Sequence, residues 1–186
     1  MQLKIVSRKG INKSEVKALR RSGWIPANLY VKGKAGLSIA LSATEFATHM
    51  RSVVSGHLPT TIFTLVDENG HARQVLVKEI QYAVTTYDVL HLDFEELVDG
   101  QMVNVKVPIE CVGAAESAGV KLGGVLRQVL RHVAVRCPVR KLPKFFELDV
   151  KELDIGGAKR LSDLKWPEEV RPLGNLREVA ASIVKK

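Results

Sequence analysis

The sequence predicts a mainly β fold with a few short helices, made of an N-terminal small antiparallel β-barrel and a C-terminal all-β domain. Three observations support this fold class. Short runs of alternating apolar residues recur along the 186-residue chain, and Asn69-Gly70 separates two of them as a hairpin turn signal. The helical segments are too few and too short for a βαβ fold. We expect the two domains to span residues 1–95 and 96–186, with the join near 95–101.

The first helix is predicted to begin at Lys13 and to run for about ten residues. Asn12 is expected to cap it through its side-chain oxygen, and Glu15 completes a capping box. Gly23 supplies the left-handed residue that commonly ends a helix. Trp24, Ile25 and Pro26 are then expected to form the turn that leads into a barrel strand.

The spacing of the predicted helix separates a basic side from an apolar side. Val16 and Leu19 lie on the apolar side, and Ile11 and Val16 occupy the positions of a hydrophobic staple. The basic side carries Lys13, Lys17, Arg20 and Arg21. Such a face is either an ordinary solvated surface or a binding surface for a polyanion. Helical spacing alone does not decide between the two.

The other segments of the first domain are mostly predicted strands. Residues 37–41 alternate as a half-buried strand, and Ser42 with Glu45 forms a second capping box at the start of a short helix. The segments 61–66 and 74–80 form the arms of the Asn69-Gly70 hairpin. Residues 87–94 form one more strand. Together these segments predict the small barrel.

The pattern restarts after residue 100 with a strand of alternating valines at 102–112. The small residues of 113–124 are predicted to form a loop. Strands are expected within 125–139, where β-branched residues dominate, and at 145–150 and 178–184. These segments predict a second, all-β domain.

The net charge of +8 is concentrated in two parts of the chain. Residues 1–34 carry a charge of +8, whereas 35–95 carry −4, and residues 121–144 carry seven bases and no acid. Basic blocks in otherwise neutral or acidic protein are typical of polyanion binding. The charge pattern therefore favours a nucleic-acid partner without saying which one.

Several other classes of protein are disfavoured by the sequence. No run approaches the length of a membrane span, and the charged N-terminus lacks the apolar core of a signal peptide, so we expect a cytoplasmic protein. The glycine-rich segments 119–124 and 154–159 fit no phosphate-binding motif. Cys111 and Cys137 show no zinc or disulfide spacing and are expected to be small apolar fillers in strands. We therefore expect no cofactor, no metal site, no small-molecule substrate and no membrane partner.

His91 and Asp93 are two residues apart on one predicted strand, so both side chains are expected on the same face of the sheet. Such a pair could serve a catalytic or metal site, but no recognisable nucleophile or metal-binding motif accompanies it. Beside a basic helix it could instead hydrogen-bond to ribose or base edges of RNA. The scattered aromatic residues favour recognition of structured RNA by shape, phosphate and groove contacts over stacking along one strand.

The order of these pieces resembles a known family. Gly23-Trp-Ile-Pro26-Ala27, Leu76–Gln81, His91-Leu-Asp-Phe94, Gly119–Gly124 and Leu153–Gly156 occur in the order seen in the bacterial large-subunit ribosomal protein family number twenty-five. This family is also called the Ctc, or general stress protein, family. The resemblance covers nearly the whole chain and implies the longer, two-domain form.

The resemblance implies a non-catalytic constituent of the large ribosomal subunit that binds 5S rRNA near its internal loop E through the N-terminal barrel. The family's contact positions fall here on cations that would neutralise phosphates and on polar residues that would read sugar and base edges. They are Arg8, Lys13, Lys17, Arg20, Tyr30, Lys78, Gln81, His91 and Asp93, and the helical face adds Arg21.

Two questions stay open on the sequence. The basic block 121–144 could contact 23S rRNA, a neighbouring ribosomal protein or only solvent. The alternative function is that of a stress-induced interaction protein whose C-terminal domain binds a protein partner. The presence or absence of the protein on large ribosomal subunits separates this alternative from the ribosomal role.

Overall fold

The computed structural model describes residues 1–8, 12–31, 33 and 35–185, and the chain divides into two compact units, Met1–Asp99 and Gly100–Lys186. Strands form most of the regular structure in both units, and the helices are short. The predicted fold class is therefore confirmed. Within the described ranges, no helix is both long and apolar enough to cross a membrane.

The described residues of the first unit form six strands and two α-helices. The strands are β1 (Gln2–Ser7), β2 (Trp24–Tyr30), β3 (Leu37–Ser42), β4 (Ile62–Val66), β5 (Ala72–Tyr82) and β6 (Val89–Glu96). The helices are α1 (Lys13–Arg21) and α2 (Ala43–Ser52). The strands close into a barrel in the order β1-β3-β2-β6-β5-β4.

The barrel is mostly, but not entirely, antiparallel. Strand β1 pairs in parallel with β4, and β2 pairs in parallel with β6, while the other neighbours are antiparallel. The sequence predicts a mostly antiparallel barrel, and these two parallel seams are the exceptions. Tight turns join only antiparallel neighbours, whereas strands separated by helices and other strands can pair in either direction.

The barrel core consists of side chains that alternate inward along the strands. Phe63 and Phe94 are fully buried there, and Phe46 of α2 joins them, with its ring centroid 6.2 Å from that of Phe63. Helix α2 begins at the predicted cap, because the Ser42 hydroxyl accepts a hydrogen bond from the Glu45 backbone N–H at 3.4 Å. The apolar face of α2 therefore belongs to the barrel core.

Helix α1 begins and ends near the predicted residues, but its capping differs from the prediction. The Asn12 side chain makes no cap hydrogen bond, because its amide donates to the Glu15 carboxylate at 3.4 Å instead. The predicted capping box is therefore wrong at this end. Ile11, one half of the predicted staple, lies outside the described residues. At the other end Gly23 has a φ of 82°, as expected of a helix stop.

The turn after α1 is shorter than predicted. It consists of Ser22 and Gly23, and Trp24, Ile25 and Pro26 already belong to β2. Proline is tolerated at this place because the pairing of β2 with β6 starts only at Ala27, so the missing N–H breaks no bond of that ladder.

The described residues of the second unit form two sheets. Its strands are β7 (Met102–Val112), β8 (Gly124–Gln128), β9 (His132–Pro138), β10 (Phe146–Asp149), β11 (Ala158–Arg160), β12 (Arg171–Pro172) and β13 (Val179–Lys185). One sheet has the order β10-β7-β9-β12 and the other β11-β13-β8. Cys137 is buried in β9 and Cys111 is half-buried in β7, in agreement with their predicted role as fillers of strands.

The segment 113–124 is not a plain loop, because it contains the short helix α3 (Ala118–Lys121). Ser117, fully buried, donates its hydroxyl to the Leu153 carbonyl at 2.7 Å. Gly119 packs so closely that a β-carbon there would lie 2.8 Å from the backbone of Asp154. The small side chains thus allow two backbone segments to pack closely. The spacing of apolar residues along the sequence does not predict this contact.

The basic block 121–144 is divided between the two sheets of this unit. Arg127 lies on β8 of the three-stranded sheet, whereas Arg136 lies on β9 of the four-stranded sheet. The Lys141 ammonium is 2.6 Å from the Glu169 carboxylate. The cations that are clustered in the sequence are therefore not clustered on one face of one sheet.

Candidate nucleic-acid interface

Strand β6 presents His91 and Asp93 on the outside of the barrel. Leu92 and Phe94 are fully buried, so the alternate residues His91 and Asp93 face outward. The His91 Nδ1 lies 3.6 Å from the Asp93 Oδ1, and each side chain is 18% exposed. The predicted same-face pair is confirmed.

Asp93 lies in a row of residues that crosses the outside of the barrel. In the strand registers, Asp93 is opposite Asn28 of β2 on one side and Glu79 of β5 on the other. Asn28 is in turn opposite Ser38 of β3, whose carbonyl accepts a hydrogen bond from the Arg8 backbone N–H at 3.0 Å. The row thus runs from Arg8, just after β1, to Glu79.

Helix α1 is anchored beside this row by Arg20. The Nε of Arg20 donates a hydrogen bond to the Leu90 carbonyl at 3.0 Å, which places the end of the helix next to His91. His91 is also opposite Gln81 in the register of β5 and β6. The structure therefore brings Arg8, Arg20, Gln81, His91 and Asp93 to neighbouring positions.

The basic side of α1 is exposed as predicted. Val16 and Leu19 are partly buried, and no residue of the helix is fully buried. The exposed cations of the helix include Lys13, Lys17 and Arg21. They extend the positive surface that starts at Arg20.

The Asp93 carboxylate holds an unused acceptor. Its Oδ1 is buried, and no described residue donates a hydrogen bond to it, because the 3.6 Å separation from His91 is too long. A buried acceptor without a donor costs about 1–3 kcal/mol. A ligand with an amino or hydroxyl group at this point would remove that cost.

The surroundings of His91 favour its neutral form. Burial is the largest effect that lowers its pKa, and the cations Arg8 and Arg20 lower it further, while Asp93 and Glu79 raise it. The net direction is a pKa below the ordinary value of 6.5. At neutral pH the imidazole therefore offers one hydrogen-bond donor and one acceptor, which suits a sugar or base edge better than a phosphate.

The charged neighbours of His91 allow us to predict in which direction each substitution shifts the pKa of its imidazole. In an NMR titration of the full chain, we expect the pKa of His91 to lie below 6.5. Arg20→Ala removes a positive neighbour and should raise this pKa, whereas Asp93→Asn removes a negative one and should lower it. Arg51→Ala, an exposed change on α2, serves as the control that leaves it unmoved. A wild-type pKa at or above 6.5 would contradict the description of the site.

Both halves of the chain match families of ribosomal proteins. Residues 3–94 match the Ribosomal L25p family, and residues 102–186 match the C-terminal domain of ribosomal protein TL5. The chain is 46% identical to the large ribosomal subunit protein bL25 of Chlamydia trachomatis serovar L2 over 186 residues, which is 100% of both chains. It is 43% and 42% identical, with the same coverage, to the bL25 proteins of Chlamydia muridarum and Chlamydia pneumoniae.

The chain belongs to the Ribosomal L25p family. It has the two-domain form, because the TL5-type domain follows the L25p barrel in the same chain. The resemblance drawn from the order of short motifs is confirmed. The barrel that carries the row from Arg8 to Glu79 is the L25p domain.

Two of the predicted contact residues of the L25p barrel lie further along β2 and β5. Tyr30 is 48% exposed and is opposite Glu95 in the β2–β6 register. The Lys78 ammonium lies 2.5 Å from the Glu95 carboxylate, next to an irregularity in β5 between Val77 and Glu79. Lys78 thus neutralises a carboxylate of the protein itself, which lowers the charge that it can offer to a phosphate.

Asn28 is a candidate that the sequence reasoning missed. It lies between Ser38 and Asp93 in the row, and its amide can both donate and accept hydrogen bonds. The signal was present in the sequence, since Asn28 precedes Tyr30 by two residues on one strand and shares its face. The polar part of the site is therefore wider than the His91–Asp93 pair.

Proposed function

We propose that this chain is a non-catalytic, structural protein of the large ribosomal subunit that binds 5S rRNA in the region of internal loop E. In this proposal it acts on ribosomes in the cytoplasm. The relatives named above are large-subunit proteins, and they support the ribosomal part of the proposal. The choice of 5S rRNA and loop E follows from the resemblance of the contact positions.

The observation that carries the RNA-binding proposal is the unused Asp93 acceptor beside His91, which itself has two cationic neighbours. A carboxylate gains nothing from phosphates, so it belongs in an RNA interface only where it accepts from a base amino group or a ribose hydroxyl. Arg8 and Arg20 lie near the adjacent His91 and carry the charge that phosphates require. The site thus offers cations that position the RNA backbone and polar groups that recognise base or sugar edges.

The proposed division of labour follows the chemistry of each side chain. The cations of α1, together with Arg8, neutralise phosphates. Gln81, His91 and Asp93 read sugar and base edges from the outer face of β5 and β6. Tyr30 and Lys78 contact the RNA further along the same face. Structured RNA suits this arrangement, because the shallow minor groove of A-form RNA displays base edges and 2′-hydroxyls to a convex protein surface.

A binding titration of the full chain tests this proposal. Three RNAs are compared at matched salt: bacterial 5S rRNA, the same RNA with loop E replaced by Watson–Crick pairs, and an unrelated duplex. We expect the intact 5S rRNA to bind most tightly. Equal affinity for all three would overturn 5S recognition, and equal affinity for the first two alone would overturn the loop E assignment.

The ribosomal role is tested separately by sedimentation. We expect the protein to travel with large subunits in cell extracts and to remain with them after a moderate salt wash. A protein that is absent from large subunits would instead favour the alternative of an interaction protein that uses its C-terminal domain.

A further inference from the structure

The turn between β5 and β6 carries an unusual amount of exposed apolar surface. Val84 is 91% exposed and Tyr87 is 78% exposed, and Tyr82 at the end of β5 is 45% exposed. We call residues 83–88 the hairpin tip. The core of the barrel does not use these side chains, since the described core residues of the barrel include none from the tip.

Tyr87 adopts a backbone conformation that its side chain disfavours. Its φ is 58°, and among the described residues it is the single non-glycine with a positive φ. The tip is held in this shape by backbone hydrogen bonds, from Ala83 N–H to the Asp88 carbonyl at 2.8 Å and from Tyr87 N–H to the Ala83 carbonyl at 3.0 Å. Glycine would form the same turn without strain, and asparagine would form it with less. Strained residues of this kind cluster at functional sites. Because the Tyr87 ring is exposed, its packing within the fold does little to offset the strain.

The hairpin tip adjoins the candidate interface. Gln81 is opposite His91, and the next pair toward the tip is Tyr82 with Val89. Strands rise about 3.3 Å per residue, so the tip begins within roughly 7–10 Å of the Gln81–His91 pair. The intervening Leu90 carbonyl is the acceptor for Arg20, so the basic end of α1 lies at the base of the same hairpin.

We propose that Tyr87 stacks on an unpaired nucleobase of the RNA that occupies the interface. An exposed aromatic ring beside cations and polar readers suits a base, because every base has a π-face and bases splayed out of structured RNA stack on tyrosine. The positive φ holds the ring at the tip of a closed turn. This inference rests on the proposed RNA-binding function and adds a stacking contact to it.

Replacing Tyr87 separates a role in binding from a role in the fold, because the two have opposite signs. In the full chain, Tyr87→Gly should raise the melting temperature of the barrel, since it relieves the strain. It should weaken binding to 5S rRNA by roughly five- to 150-fold if one stacked base is lost. Tyr87→Asn tolerates a positive φ without the flexibility of glycine and should weaken binding similarly. Tyr87→Phe keeps the ring and should bind like the wild type.

The outcomes distinguish this inference from the function on which it rests. If the wild type prefers 5S rRNA but Tyr87→Gly and Tyr87→Asn bind as tightly as the wild type, the stacking contact is overturned and the proposed function stands. If these variants bind 5S rRNA normally but are retained less well on large subunits, the tip contacts another component of the subunit, which also overturns stacking on 5S rRNA. If the wild type shows no preference for 5S rRNA, the proposed function and this inference fail together.

Discussion

Replacing Arg20 with alanine is expected to weaken the binding of 5S rRNA by about 1.5–3 kcal/mol, the usual value of a hydrogen bond to a charged group. The Nε of Arg20 donates to the Leu90 carbonyl at 3.0 Å, which fixes the guanidinium beside His91. The planar guanidinium still has its two terminal nitrogens for a phosphate. One residue therefore anchors the helix and supplies a phosphate contact.

Salt dependence identifies which kind of contact is lost. If Arg20 contacts a phosphate, the slope of log affinity against log salt should become shallower by about one unit in Arg20→Ala. Arg20→Lys keeps the positive charge but lacks the planar guanidinium with its several N–H donors. We therefore expect this variant to have nearly the wild-type salt slope but only part of the wild-type affinity. The measurement is a set of binding titrations across a range of salt concentrations.

Arg51→Ala is the matched control for this substitution. Arg51 is also an exposed arginine in the last turn of a helix, but it lies on α2, which contributes no residue to the row on the barrel. We expect it to change neither the affinity nor the slope. An unchanged slope in Arg20→Ala, with α1 still folded by circular dichroism, would contradict a phosphate contact at this residue.

The part of the site that sequence predicts well is local. The alternation along β6 predicts that His91 and Asp93 share a face, because a strand turns its side chains over with a period of two residues. Helical spacing likewise predicts the basic side of α1. Both predictions need only neighbouring residues and a regular backbone.

The part that sequence does not predict depends on pairing between distant segments. The row of Arg8, Ser38, Asn28 and Asp93 exists because β1, β3, β2 and β6 are adjacent in a specific register. A shift of one residue in any of these strands would turn its polar residues to the other face. The sequence shows that Asn28 shares a face with Tyr30, but no periodicity within a single strand shows that Asn28 lies opposite Asp93.

Irregular backbone geometry is a second feature that the sequence does not predict. The irregularity in β5 between Val77 and Glu79 accompanies the pairing of Lys78 with Glu95. The sequence around Lys78 reads as a regular strand and gives no sign of it. The predicted capping box at Asn12 fails for a different reason: the Asn12 amide donates to the Glu15 carboxylate, and the Asn12 side chain makes no cap hydrogen bond.

Replacing Asp93 with alanine is expected to act on specificity and not on salt dependence. The variant should lose roughly 1–3 kcal/mol of discrimination between 5S rRNA and an unrelated duplex, by analogy with base-edge contacts in DNA. A carboxylate neutralises no phosphate, so the salt slope should stay the same and affinity for the unrelated duplex should not fall. The free energy of unfolding should be unchanged or slightly higher, because a buried acceptor without a donor is removed.

Glu79→Ala is the matched control, because Glu79 is the carboxylate opposite Asp93 but is exposed to solvent. It removes the same charge from the same part of the surface without removing a buried acceptor. If loss of negative charge alone were responsible, both variants would change binding alike. We expect only Asp93→Ala to lose discrimination.

A double-mutant cycle with modified RNA identifies the donor that Asp93 accepts from. Replacing single guanosines of loop E with inosine removes the 2-amino group, and single 2′-deoxy substitutions remove the ribose hydroxyl. At the position of the true donor, the RNA change and Asp93→Ala should be strongly non-additive, because each already removes the same hydrogen bond. Additive effects at every loop E position would show that the carboxylate accepts from neither group. If removing the amino groups of adenosine and cytidine also gave only additive effects, the unpaired Oδ1 would be a cost of the fold and not part of the RNA-binding surface.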